Sequence, residues 1–357
     1  SVNYAFYVME MALFISRLQG YAAKWDAQIL FETEFTGFLL EEGRPAGIIA
    51  RSKEKELIIR APLVIDASGV DSVARVNLPA GKGVETDPID PQDFLYVILQ
   101  YWDDLDDHFP RGLNFYPFHK AFINPGYGKG MIVGIGQPGK LEIAGQVQEQ
   151  FLEERFPGVK HRLIKKTWGR TPYRRPPFSL VGDSFMVVGD AAFMTKPFSG
   201  EGVTSGFTAC QIAAGVAHAA LRKGDTSRKQ LWPLNVHYFR DQGARFAGLL
   251  AQLPVAAELS REDVNYLFSR DIIFSSYDFE QMNRHFEVKM GPGRLLKTAA
   301  ALLRGRLKGK LSREGFAALL AAMKRAGTIQ KHYERFPEDP KDFPQWESKA
   351  RELWAGK

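Results

Sequence analysis

The stretch of sequence that decides the fold is VVGDAAFMTKPFSGEGVTSG, residues 187–206. Residues 185–188 form an apolar run that ends at Gly189, which predicts a buried parallel strand. From residue 203 to about residue 221 the chain is rich in alanine and free of proline, which predicts a helix. Free N–H groups and the positive end of a helix dipole would face the space beyond the strand. The pattern therefore predicts a site for an electron-rich ligand.

The polar residues of this loop suit a flavin. Asp190 stands beside the predicted helix start, where its carboxylate can accept hydrogen bonds from the hydroxyls of a polyol chain. Pro197 and the glycines at 200, 202 and 206 keep the backbone thin and able to turn. A flavin has both a ribityl chain and an electron-rich pyrimidine edge, so it matches both features. An ordinary strand-to-helix turn with glycines for packing is the alternative.

The same string resembles the second flavin fingerprint of the FAD-dependent oxidoreductases that include aromatic hydroxylases and geranylgeranyl reductases. In that superfamily the Asp of GDAA bonds the ribityl chain, and the loop after P-x-x-G-x-G lies against the flavin ring. The resemblance implies six FAD-binding residues here: Gly189, Asp190, Pro197, Gly200, Gly202 and Val203. The form P-F-S-G-E-G-V is closer to the reductases than to the hydroxylases, which usually carry Gln between the two glycines.

A second match is LVIDASGVDSVAR, residues 63–75. It resembles the ADG-x-x-S-x-x-R segment of the same superfamily, which packs near the pyrophosphate and adenine of the cofactor. The resemblance implies further cofactor contacts from Asp66, Gly69 and Arg75, although Ser68 replaces the usual Asp before the glycine. A plain strand end is the alternative. The match precedes the first one by about 120 residues, in the order of the family.

The opening G-x-G-x-x-G unit of the family is not found in this sequence. The glycines at 126, 128 and 130 have the wrong spacing for it. The resemblance therefore implies the C-terminal part of a longer flavoprotein, with the first βαβ unit lost or supplied elsewhere. Because that unit normally holds the pyrophosphate at a helix N-terminus, we expect this chain alone to hold FAD weakly.

These matches predict an α/β (α+β) fold of the flavoprotein hydroxylase/reductase type. Residues 1–85 and 179–225 would form an FAD-binding domain that is truncated at its N-terminus. Residues 86–178 would form an inserted substrate domain with an antiparallel sheet, and residues 226–357 a helical C-terminal region. Glu42-Gly43 predicts a hairpin turn, and the chain from Phe336 onward predicts a polar tail broken by prolines.

Residues 119–136 of the predicted substrate domain resemble the Y-x-W-x-F-P strand of the reductases and the strand that follows it. This resemblance implies an apolar cavity for a polyene beside the flavin, and we predict Phe122, Pro125 and Phe198 as substrate-binding residues. Ordinary sheet core is the alternative.

No catalytic residue is assigned from the sequence. Tyr116, His119 and Tyr173 are candidate proton donors by region alone.

Composition agrees with a soluble enzyme and allows a substantial core: of 357 residues, 45% are hydrophobic and 12% aromatic. The single cysteine, Cys210, excludes a disulfide framework and a cysteine zinc site, and its place in the predicted helix indicates a buried small residue. The histidines are scattered, so no metal site is predicted. No apolar run reaches about 18 residues, so no spanning helix is expected, and we expect a cytoplasmic protein.

Positive charge is concentrated in residues 286–326, which hold ten Lys or Arg against two acids. Two leucine-rich helical faces lie in the same segment. Such helices either pack their leucines on the protein body or lie on an anionic membrane surface as a peripheral attachment. No nucleic-acid-binding pattern accompanies the charge, so nucleic acid is not expected as a partner.

The resemblance implies an FAD-dependent oxidoreductase that reduces carbon–carbon double bonds of an isoprenoid or other lipid by hydride transfer from reduced flavin. A flavin monooxygenase that acts on an aromatic or polyketide substrate is one alternative. A non-enzymatic lipid-binding or interaction fragment is another. The electron donor, NAD(P)H or ferredoxin, is left open, as are the exact substrate and the oligomeric state.

Overall fold

The computed structural model describes residues 9–53, 55–87, 89–104, 114–116, 120–126, 130–159, 161–197, 199–273, 275–285 and 291–356. After helix α1 (Met11–Ala23), three strands form an antiparallel sheet: β1 (Thr33–Glu41), β2 (Arg44–Ser52) and β3 (Lys55–Arg60). The β1–β2 turn has positive φ at both Glu42 (50°) and Gly43 (73°), as a two-residue type I′ hairpin turn requires. The hairpin predicted at this dipeptide is confirmed.

Two distant parts of the sequence meet in a second sheet. Strand β4 (Val64–Asp66) pairs in parallel with β11 (Phe185–Val187), and β10 (Val181–Gly182) joins β11 as a hairpin. All three residues of β11 are fully buried. The buried parallel strand predicted from the apolar run before Gly189 is therefore confirmed, and it places the two sequence motifs side by side.

A five-stranded antiparallel sheet lies between these two motifs in the chain, as predicted. Its strands are β5 (Phe94–Asp104), β6 (Asn114–Tyr116), β7 (Ala121–Pro125), β8 (Gly130–Pro138) and β9 (His161–Pro172), in the order β6-β7-β8-β5-β9. Helix α3 (Leu141–Arg155) covers one face, where Ile123, Val133 and Phe151 are fully buried. The alternate residues on the other face, such as Phe122, are half-buried. The sheet therefore keeps one partly open apolar face.

The loop that resembles the second flavin fingerprint, residues 189–202, is called the flavin-like loop below, and helix α4 (Val203–Lys223) follows it. The helix is capped by Gly224, whose φ of 66° is typical of a helix C-cap. Its alanines at 209, 213, 217 and 220 face the core. Cys210 lies on the other side of the helix and is exposed, so the prediction of a buried cysteine is wrong. Among the described residues no helix has the length and apolarity that a membrane span needs.

The rest of the chain is helical, as predicted. The short helix α2 (Val73–Val76) precedes the large sheet, and the C-terminal helices are α5 (Arg228–Leu231), α6 (Pro233–Tyr238), α7 (Ala244–Leu250), α8 (Arg261–Ser269), α9 (Ser276–His285), α10 (Pro292–Leu307), α11 (Arg313–Tyr333) and α12 (Phe343–Trp354). The prediction of a polar tail from Phe336 is wrong. Phe336, Phe343 and Trp346 are buried in the same core cluster as strand β11. The predicted domain boundaries at 85, 178 and 225 stay predictions.

Candidate functional site

Asp190 lies where the sequence placed it, between the end of a strand and the start of a helix. β11 ends at Val187, and a single 3₁₀ turn (Gly189–Ala192) carries Asp190 toward the beginning of α4. A Cβ atom added to Gly202, the residue before α4, would lie 2.9 Å from Oδ1 of Asp190 and 3.1 Å from Cγ2 of Thr195. Only glycine fits there without displacing the carboxylate. The loop thus presents a carboxylate and a helix N-terminus to the same space.

The Asp190 carboxylate has acceptor capacity to spare. It is half-buried, and burial raises the pKa of its carboxyl group above the usual value. In the described part of the chain, no hydrogen bond or ion pair to this side chain is found. A desolvated carboxylate without donors is unfavourable, so a ligand that brings hydroxyl groups would satisfy it. The ribityl chain of a flavin fits this requirement.

A lysine–glutamate pair, which sequence reasoning missed, closes the loop between Asp190 and α4. The Lys196 backbone N–H donates to the Glu201 carbonyl at 3.0 Å, and Nζ of Lys196 lies 3.0 Å from Oε2 of Glu201. The Lys196 carbonyl in turn accepts a bond from the N–H of Gly200, whose φ is 72°. The only available signal was two opposite charges inside a glycine-rich loop, and sequence does not reveal that Lys196 is buried.

The end of strand β9 fastens the large sheet to this loop. Oγ1 of Thr195 donates to the Pro172 carbonyl at 3.3 Å, and Oγ1 of Thr171 donates to the Gly200 carbonyl at 3.3 Å. The sheet predicted to bind substrate is thus held against the loop predicted to bind flavin. Sequence spacing alone did not indicate either threonine.

The first fingerprint packs against the second. Oγ of Ser72 donates to the Ala191 carbonyl at 2.8 Å, across 119 residues of chain. Asp66 is buried and accepts bonds from the backbone N–H groups of Ser68 (2.9 Å) and Arg75 (2.6 Å). Gly69, with a φ of 80°, makes the turn between them. Asp66 therefore holds the turn that follows β4, and its predicted contact with a cofactor stays a prediction.

Arg75 is buried beside the second motif. Its Nη1 donates to the Glu85 carbonyl at 2.7 Å, and its guanidinium lies 5.1 Å from the centre of the Phe193 ring. Burial, the main cause, and the nearby Arg174 lower the pKa of Arg75. Its Nε and Nη2 have no hydrogen-bond partner among the described residues. The side chain has donors to offer but little exposure, and its cofactor role stays a prediction.

The predicted substrate residues lie partly in the described structure. The Phe122 ring rests on Gly134 of the neighbouring strand, so close that a Cβ at that glycine would lie 2.1 Å from the ring. Phe122 thus belongs to the sheet face that α3 does not cover. Pro125 is half-buried at the end of β7. Phe198 lies outside the described residues.

The three candidate proton donors fall in different places. Tyr116 packs against Phe151 (ring centres 4.9 Å apart) on the α3 side of the sheet, away from the partly open face. His119 lies outside the described residues. Tyr173 directly follows Pro172, whose carbonyl is bonded to the flavin-like loop, and burial raises the pKa of its phenol. Tyr173 is therefore the described candidate that lies next to that loop.

Gly202→Ala tests whether the narrow gap between Gly202 and the Asp190 carboxylate is needed for FAD binding. The new methyl group would force the Asp190 carboxylate or Thr195 aside, so we expect weaker FAD binding, measured by quenching of flavin fluorescence. Gly215→Ala is the matched control, because nothing lies within 4 Å of its added Cβ and it lies in the middle of α4, away from the loop. The control should keep its flavin affinity and gain about 0.5–1 kcal/mol of stability. Equal flavin affinity in both variants would contradict the assigned role of the gap.

Comparisons with known proteins agree with this geometry. No model of a known protein family matches the chain. It is 26% identical over 325 residues to the digeranylgeranylglycerophospholipid reductase of Sulfolobus acidocaldarius, which covers 86% of this chain and 69% of the relative. It is 30% identical over 237 residues to the enzyme of the same name from Methanosarcina acetivorans, covering 63% of this chain and 56% of the relative. The chain thus spans little more than half of the second relative.

Solved structures show the same fold. A geranylgeranyl bacteriochlorophyll reductase-like protein from Thermoplasma acidophilum superposes with a TM-score of 0.67 at 19% identity, over 87% of this chain and 78% of the other. The myxobacterial FAD-dependent halogenase of chondrochloren superposes with a TM-score of 0.55 at 16% identity, over 89% and 74%. The paired fingerprints, the open carboxylate at the start of α4 and these relatives lead to one assignment. The chain has the fold of the FAD-dependent oxidoreductases, and in sequence it is similar to the digeranylgeranylglycerophospholipid reductases.

Proposed function

We propose that this chain carries the flavin and substrate regions of an FAD-dependent reductase that saturates carbon–carbon double bonds in the isoprenoid chains of a lipid. The observation that carries the proposal is the Asp190 carboxylate at the start of α4, which has no hydrogen-bond partner among the described residues. The curated relatives of the chain are named digeranylgeranylglycerophospholipid reductases. The half-buried apolar face of the large sheet, held against the same loop, is suited to a hydrocarbon substrate.

When bound, FAD in its reduced form would supply the hydride for one carbon of the double bond, and a proton from the protein or from water would complete the saturation. Asp190 would accept hydrogen bonds from the ribityl hydroxyls and so set the position of the ring. Gly202 leaves room for that contact, and the Lys196–Glu201 pair holds the loop in shape. A loop that is already ordered loses less entropy when the ligand binds.

Phe122 and its neighbours on the open sheet face would hold the apolar chain and exclude water. Tyr173 is the described side chain that we propose as proton donor. A tyrosine phenol is protonated at neutral pH, as a donor must be, and burial raises the pKa of Tyr173 further above its usual value. Tyr173→Phe is accordingly part of the test below.

The test is anaerobic turnover. The chain, saturated with FAD and reduced with dithionite, is mixed with a geranylgeranyl glycerolipid, and the products are analysed by mass spectrometry. We expect an increase of two hydrogens for each double bond, with turnover reduced in Tyr173→Phe while its FAD affinity is unchanged. NADPH and reduced ferredoxin, compared in place of dithionite, identify the electron donor.

Two outcomes would replace the proposal. Incorporation of oxygen into an aromatic compound in air, with consumption of NADPH, would establish the monooxygenase alternative. Lipid binding without any flavin spectrum or turnover would establish a non-enzymatic fragment.

A further inference from the structure

Helix α10 exposes a row of leucines to solvent. Leu296, Leu303 and Leu307 are 72%, 53% and 78% exposed. Their spacings of seven and four residues place them on one side of the helix. Gly305 on the opposite side is buried against the Tyr266 ring. The helix is thus seated on the protein by one side and presents three large aliphatic side chains on the other.

A row of cations runs beside these leucines. Lys297, Arg304 and Lys308 each follow one leucine of the row, so they repeat the same helical spacing along its flank. All three are exposed, and no ion pair to any of them is found in the part of the chain that the structure describes. We call these six residues, 296, 297, 303, 304, 307 and 308, the α10 face.

Other cations of residues 286–326 have partners among the described residues, unlike the three cations of the α10 face. Arg294 is paired with Asp278, and Arg325 donates to the Trp354 carbonyl at 2.7 Å. Lys289 lies outside the described residues. Of the leucines in the two leucine-rich faces of this segment, only Leu302 and Leu319 are buried. Helix α11 adds exposed Leu320 and Met323 together with exposed Lys324.

We propose that the α10 face binds the surface of an anionic lipid bilayer, which makes the protein a peripheral membrane protein of the cytoplasm. Aliphatic side chains enter the boundary between headgroups and acyl chains, while the flanking cations meet anionic headgroups. A nucleic acid would use the cations but would have no use for the leucines. This inference goes beyond the proposed reduction and does not depend on it.

Sedimentation with vesicles tests the proposal on the full chain, without any assay of activity. We expect binding to vesicles of phosphatidylcholine with phosphatidylglycerol, and release at high salt because the charges are exposed. Lys297→Glu with Lys308→Glu should lower the partition coefficient by about 30-fold, at roughly fivefold for each cation lost. Leu296→Ser with Leu303→Ser should lower it by about tenfold for each leucine. None of these exposed substitutions should change the melting temperature.

Matched controls separate this face from other exposed regions. Lys55→Glu with Lys166→Glu makes the same charge change in two strands, and Ile15→Ser with Leu18→Ser removes two exposed apolar side chains from α1. Both controls should bind vesicles as the unaltered chain does. The proposal would be overturned if either control lost as much vesicle binding as the α10 variants do. It would also be overturned if the unaltered chain bound vesicles of phosphatidylcholine alone as well as it binds the anionic vesicles. Binding to duplex DNA that is insensitive to the two serine substitutions, with no binding to vesicles, would assign the face to nucleic acid instead.

Discussion

Asp190→Ala is expected to weaken FAD binding by about 10- to 150-fold. The change removes an acceptor for the ribityl hydroxyls, and a hydrogen bond to a charged group contributes about 1.5–3 kcal/mol. The effect should be large because this carboxylate has no competing donor among the described residues. Titration of flavin fluorescence gives the dissociation constants, and Glu56→Ala, an exposed acid on β3, is the control that should bind FAD normally. An unchanged dissociation constant for Asp190→Ala would remove this residue from the site.

The Asp190 side chain is also expected to reduce the stability of the chain when no flavin is bound. Burial raises the pKa of the Asp190 carboxyl, so the folded state disfavours its ionised form. The stability associated with this group is complete below its unfolded pKa of about 3.9 and is lost as the pH rises through the folded pKa. Asp190→Asn should therefore raise the melting temperature at neutral pH, and this gain should shrink as the pH falls. A residue that weakens the fold but binds the ligand is expected at a functional site.

Trp346→Ala is expected to lower the free energy of unfolding by about 3–5 kcal/mol, as removal of a buried large aromatic side chain does. Trp346 is only 7% exposed, and its ring centre lies 4.5 Å from that of Phe336 and 5.1 Å from that of Tyr333. Its Nε1 also donates to the His332 carbonyl at 3.0 Å. Denaturation in urea measures the change. Trp25, which is 74% exposed, supplies the control, since Trp25→Ala should change stability by no more than about 0.5 kcal/mol.

This core also supports the flavin-like loop. Trp346 and Phe336 belong to the same buried cluster as Val187 of β11 and Ala191 of the turn that carries Asp190. Trp346→Ala should therefore weaken FAD binding indirectly, in parallel with its loss of stability. If stability falls by several kcal/mol while FAD affinity at low temperature is unchanged, the loop holds its shape without α12.

The sequence by itself determined the local features of this protein. The Glu42-Gly43 turn, the strand that ends before Gly189 and the helix that begins at Val203 all formed as predicted. Each depends on neighbouring residues alone: on glycine at positive φ, on a short apolar run, or on an alanine-rich segment without proline. The position of Asp190 beside the helix start followed from these elements, so the main feature of the site could be predicted as well.

Only the tertiary structure decided which sides of these elements meet the core. A periodic pattern shows that residues share a side of a helix but does not show what covers that side. Cys210 was therefore predicted to be buried and is exposed, whereas Phe336 and Trp346 were assigned to a polar tail and are buried. The burial of Trp346 depends on partners far away in the chain, such as Phe178. The bond from Ser72 to Ala191, which joins the two fingerprints, likewise spans more than a hundred residues. The exposure of the α10 leucines also depends on tertiary packing, because no described segment of the chain covers them.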